Sequence, residues 1–145
     1  MIKEQNYDNH VRIYPPFHFL FLGVLFLTLL GSFVNFYAAL GDHHRMYSAS
    51  LICVLCFLLF LAGGFARVFA LRAQDRAIRA EENLRYFSLT GKLLPKELNI
   101  AQIAALRFAS DIEFVDLALK SANESTLPVE IKRSIKQWRQ DLDRV

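Results

Sequence analysis

The sequence predicts an all-α fold: a two-span transmembrane helical hairpin, a second span that continues into a cytoplasmic stalk helix, and a small three-helix C-terminal tail. Three observations predict it. Residues 17–40 and 47–66 form apolar runs of 24 and 20 residues without a single Asp, Glu, Lys or Arg. Only GDHHRM separates them. The 21 residues that follow, RVFALRAQDRAIRAEENLRYF, contain neither Gly nor Pro and are rich in Ala, Arg and Glu, a strongly helix-forming composition.

At about 1.5 Å of rise per residue the runs reach roughly 36 and 30 Å, enough for a hydrocarbon core of about 30 Å. Inside lipid the backbone must satisfy its own hydrogen bonds, so two isolated spans are helices. Core helices of a soluble domain seldom lack a polar face. A cleaved signal peptide is also a poor fit, because mostly polar residues precede the first run and the run exceeds a normal h-region. Lys3 and Arg12 flank the first span. Arg67, Arg72, Arg76, Arg79 and Arg85 follow the second, and only Arg45 lies in the connection. This asymmetry predicts that both termini are cytoplasmic. The net charge of +3 then reflects topology rather than a nucleic-acid partner, and no nucleic acid is expected.

The expected order is a polar head at 1–16, the hairpin at 17–66, the stalk at 67–90 and a small helical cytoplasmic domain at 91–145. Tyr14-Pro15-Pro16 is expected to be extended or turned, since proline disfavours helix in the residue before it. The stalk offers Asp75–Arg79 and Glu81–Arg85 at i,i+4 and a thin apolar stripe of Leu71, Ile78 and Leu84. Gly91 fits the position after the helix end and Pro95 a stop. Asn99 with Gln102, and Ser110 with Glu113, read as capping boxes of two short helices. Pro128 fits the first turn of a third, whose stripe is Ile131, Ile135, Trp138 and Leu142. Lys132, Arg133, Lys136 and Arg139 line its other side. Residues 88–145 carry nine Lys and Arg against eight Asp and Glu, too balanced for a DNA-binding domain. A domain this small is marginal alone, so packing on the stalk, on another copy or on the membrane is expected.

Four segments also carry a resemblance: QNYDNHVRIYPPFHF, LRAQDRAIRAEENLRYFSLTGKLLP, ALRFASDIEF and IKRSIKQWRQDLDRV. Together they resemble a bacterial family of small two-span membrane proteins defined only as a domain of unknown function, some of whose members carry a transporter-permease label. The resemblance implies a bacterial cytoplasmic-membrane protein and brings no catalytic residues with it.

The candidate chemistry is sparse. Between Phe19 and Leu40, and between Tyr47 and Ala66, there is no ionisable group of the kind that marks ion paths, and His18 lies at the inner edge of the first span. Gly31, Asn35, Ala49, Cys53, Ala62 and Ala66 are expected to serve helix packing through close approach and an interhelical hydrogen bond. Cys53 and Cys56 form CVLC, but hydrocarbon disfavours the thiolate that redox work needs. Asp42, His43 and His44 are the only grouping a metal site would draw on, and adjacent side chains diverge, so a solvated turn is expected. No role is assigned to His10 or His18. Arg72, Arg76, Arg79, Lys132, Lys136 and Arg139 are candidate contacts to anionic lipid or a partner. The expectation is a protein with no catalysis and no cofactor: an interaction or accessory subunit that is a homo-oligomer or part of a larger membrane complex. The alternatives are an oligomeric channel or the membrane component of a transporter, and a membrane-anchored regulator.

Overall fold

The computed structural model describes residues 5–10 and 14–141 and is all-helical over them. Lys3, Arg12 and Leu142 lie outside the described residues. A π-helical turn at Pro16–Phe21 leads into α1 (Leu22–Ala38). Then come α2 (His43–Thr90), α3 (Ile100–Leu106), α4 (Asp111–Glu124) and α5 (Pro128–Ser134). The chain divides into two compact units: Ile13–Ala70, and Met1–Arg12 with Leu71–Val145.

In the first unit, two helices are long and apolar enough to cross a membrane, Pro16–Ala38 and α2. Pro15 adopts helical angles, φ −57° and ψ −40°, where the sequence suggested an extended or turned backbone. A proline can open a helix because the first turn has no use for its missing N–H. Here the Tyr14 carbonyl accepts from the backbone N–H groups of Phe17 and His18 at 3.1 and 3.0 Å.

The least exposed positions of the first helix include Leu22, Leu25, Leu29, Ser32, Phe36 and Ala39, at alternating spacings of three and four. The first part of α2 repeats this with Met46, Ala49, Cys53 and Cys56, and again at Gly63 and Arg67. This alternating spacing is that of a helix–helix seam. Small side chains occupy its tightest places: Ser32, Ala39, Ala49 and Cys56 are all buried. A Cβ on Gly63 would stand 2.8 Å from Cε1 of Phe21, so glycine there makes room for the ring. In the connection, the Asp42 carboxylate accepts from the Arg45 N–H at 3.2 Å and caps α2.

The second unit gathers the later part of α2, the three short helices, the segment after α5 and residues 5–10. α2 ends at Thr90 with Gly91 at φ +70°, and the Gly91 N–H bonds the Phe87 carbonyl at 2.8 Å. This is a left-handed cap that only glycine adopts without strain. The return chain is held by Asn83, whose Oδ1 accepts from Leu94 N–H at 2.9 Å. The Asn99–Gln102 capping box forms in both directions, and the buried Gln102 amide also donates to the Thr126 carbonyl.

Three local expectations change. Ser110 stands at the N-cap of α4 but makes no side-chain cap. Glu113 instead accepts from the N–H groups of Lys136 and Gln137 at 3.1 and 2.9 Å. The last helix stops at Ser134, because Ile135 turns extended with ψ 122°. Beyond it, Ser110 N–H bonds the Gln137 carbonyl and Arg139 N–H the Phe108 carbonyl, which pairs Ala109 with Trp138 as an antiparallel bridge. Trp138 therefore packs against the core from an extended segment rather than along a helical stripe. On the stalk, Ile78 and Tyr86 enter the core while Leu71 and Leu84 remain exposed. The buried stripe is Ile78, Glu82 and Tyr86, four residues apart.

The N-terminal head is part of this unit. The His10 ring lies edge-on to Phe108 at 5.8 Å and beside Trp138 at 5.9 Å. Its Nδ1 donates to the Tyr7 carbonyl at 2.6 Å, and its Nε2 lies 3.0 Å from Lys132 Nζ. Arg133 sits over the Tyr7 ring, and Gln5 Oε1 accepts from Asp141 N–H at 2.8 Å.

Candidate functional site

The densest polar constellation lies along the buried face of the stalk, within the second unit. Arg85 is its centre. Nε donates to Asp111 Oδ1 at 2.7 Å, Nη1 to Glu82 Oε2 at 3.0 Å and Nη2 to the Ala109 carbonyl at 2.7 Å. The guanidinium plane also lies over the Phe114 ring, 4.2 Å from its centroid. Only arginine combines a rigid fork of donors with a face that stacks on an aromatic ring. The Glu82 side chain is 6% exposed, and its second oxygen faces Arg139 at 3.6 Å. Arg107 pairs with Asp141 at 2.9 Å. Arg107 and Asp111 stand four residues apart, a spacing that would pair them on one continuous helix, but α3 ends before Arg107 and the chain turns. That turn frees Asp111 for Arg85. Arg85 takes Glu82 and Asp111 as partners instead of Glu81.

Between these pairs lies a cleft of about 240 Å³ lined by Gln74, Ala77, Ile78, Glu81, Glu82, Arg107, Arg139, Gln140 and Asp141. A second hollow of about 330 Å³ shares Glu81, Glu82 and Arg139 and reaches Arg85 and Asp111. Among the described residues, no hydroxyl, thiol, imidazole or amine side chain lines either one. Arg107 and Arg139 are matched by carboxylates at 2.9 and 3.6 Å, so the arrangement holds chain segments in place.

The other residues singled out in the sequence are scattered. Ala49 and Cys53 face the partner helix of the hairpin, whereas Gly31, Asn35, Ala62 and Ala66 are exposed on its outside. His43 and His44 are exposed with ring centroids 6.4 Å apart. Among the described residues no three His, Cys, Asp or Glu side chains converge. Arg72, Arg76 and Arg79 are exposed, and among the described residues none has a carboxylate partner. Lys132 is engaged with His10, Lys136 is exposed and Arg139 faces Glu82.

Sequence reasoning missed Arg85 as the organiser and His10 as a packing residue. Their partners lie 24 to 26 and 122 residues away, and no local pattern points there.

These features define a class: an all-helical protein with two long apolar helices and a compact helical domain clamped by arginine–carboxylate pairs. The chain belongs to a family of unknown function (DUF6526), whose model matches residues 1–145. No curated protein and no solved structure matches it.

Proposed function

We propose that this protein is a two-span protein of the bacterial cytoplasmic membrane that works as a non-catalytic interaction or accessory subunit. Its helical domain is the cytoplasmic docking surface. The observation that carries the reading is the bareness of the apolar helices. Only 11% of the most apolar window of each is buried, and Phe19, Leu27, Val34, Phe57 and Phe65 are among the large side chains left exposed. The core helix of a soluble protein is mostly covered, whereas lipid is a solvent for such a surface.

Contacts of residues 5–10 with Trp138, Lys132 and Asp141 support placing both ends on one side, and the arginines after the second span favour the cytoplasmic side. The ion pairs of Arg85, Arg107 and Arg139 with Glu82, Asp111 and Asp141 support a structural role. Ile112 at 82% exposed and Leu127 at 62% are surface suited to docking.

The test is the composition of the complex released from native membranes in mild detergent, with a tag after Val145. The expected result is a defined assembly of fixed stoichiometry, and purified protein that carries no ion or solute flux in liposomes. Flux from the purified protein would overturn the reading in favour of an oligomeric channel. A lone monomer in mild detergent would remove its basis.

A further inference from the structure

The stalk portion of α2 is buried on one side and bare on the other. Ile78, Glu82 and Tyr86 face the domain core. On the opposite side of the helix, Ala73, Ala77, Ala80, Leu84 and Phe87 recur at alternating spacings of four and three, and every one is exposed, Leu84 at 69% and Phe87 at 49%. This is the spacing of a heptad seam, exposed along its length even where Ala77 borders the cleft described above. By sequence the same register runs back through Ala70 and Ala66.

We propose that this face is the contact with a second copy of the same chain, in a parallel two-helix coiled coil. Three observations select that occupant. First, the spacing is that of a two-stranded seam, and alanine at most of its positions lets two helices approach closely. Second, the charges that flank it are complementary to themselves. Arg76 immediately precedes Ala77 and Glu81 immediately follows Ala80. In a parallel pair, flanking residues five apart face each other across the seam, so Arg76 of each copy meets Glu81 of the other, twice by symmetry. Among the described residues neither has an ion-pair partner. Third, copies that share one orientation in a membrane present their stalks in parallel. This step rests on the membrane reading above and narrows its partner to a second copy.

The experiment uses the full chain in native membranes, in a Cys53→Ala/Cys56→Ala background, with single cysteines at Ala80→Cys, Leu84→Cys or Arg79→Cys. Arg79 is exposed but lies off the seam. Mild oxidation should give a species of twice the 16.7 kDa chain mass from Ala80→Cys and Leu84→Cys, and little from Arg79→Cys. Adding Arg76→Glu should cut the Leu84→Cys dimer several-fold through like-charge repulsion, and Glu81→Arg in the same chain should restore it. Equal yields at all three positions, or no dimer at Ala80 and Leu84, overturn the proposal. An adduct of Leu84→Cys with a different protein overturns the second copy as partner and leaves the interaction reading standing. Absence of the chain from the membrane fraction overturns that reading itself.

Discussion

Arg85→Ala should cost the helical domain about 3–5 kcal/mol, the usual loss when one partner of a buried ion pair is removed. The Glu82 side chain is 6% exposed and would keep only Arg139, at 3.6 Å, to balance it. The Ala109 carbonyl would lose the donor at 2.7 Å, and Phe114 the guanidinium stacked on it. Small domains hold only about 0.05–0.15 kcal/mol of stability per residue, so this loss is comparable to all the domain has. Arg85→Lys should restore part of it, since an ammonium keeps the charge but cannot reach two carboxylates and a carbonyl with one planar fork. Trp138 is the only tryptophan and packs against this core, so its fluorescence in a denaturant titration of the full chain in detergent reads the domain directly. The expected result is a large fall in the midpoint with the helical signal of the spans retained. An unchanged midpoint would show that the clamp contributes nothing to stability.

Phe114→Ala should be comparably severe, again about 3–5 kcal/mol. Phe114 is fully buried. Its ring meets Tyr86 edge-on at 6.0 Å on one side and Arg85 at 4.2 Å on the other, so it joins α4 to the stalk. Removing it opens a cavity between α4 and the stalk, and the guanidinium loses its support. Phe114→Leu should cost far less, because a large apolar side chain still fills most of the space. Since Phe114 and Arg85 touch, their effects should not add: the double variant should be less destabilised than the two losses together. Additivity within experimental error would mean that the stacked contact carries no energy of its own.

How much of this was legible in the sequence follows from how local each signal is. The two apolar helices were legible because an apolar run long enough to span lipid needs no tertiary context. The stalk's end at Gly91, the Asn99–Gln102 box and Pro128 at the start of α5 were legible because caps act within four residues. The last helix was over-extended, since a period of 3.6 in Ile131, Ile135 and Trp138 says nothing of Glu113. That carboxylate takes the N–H groups of Lys136 and Gln137 and, with the Ala109–Trp138 bridge, pulls the segment straight. On the stalk, hydropathy points to Leu71 and Leu84, whereas the buried position is Glu82, which Arg85 and Arg139 reach. The polar seam was hidden for the same reason: Arg85 finds Asp111 and the Ala109 carbonyl across a fold, and sequence spacing offered Glu81 instead. The head at 5–10 gave no helical or apolar pattern, and its place against Phe108 and Trp138 emerges only in three dimensions.

The proposed membrane hairpin, with both ends on the cytoplasmic side, is open to a direct topology measurement. Single cysteines at Asp8→Cys, His44→Cys and Glu124→Cys, in a chain lacking Cys53 and Cys56, test it with a membrane-impermeant maleimide. In intact spheroplasts the reagent should label His44→Cys alone. In inverted membrane vesicles it should label Asp8→Cys and Glu124→Cys and spare His44→Cys. Labelling of Asp8→Cys and Glu124→Cys from opposite sides, or of all three from one side, would contradict the account.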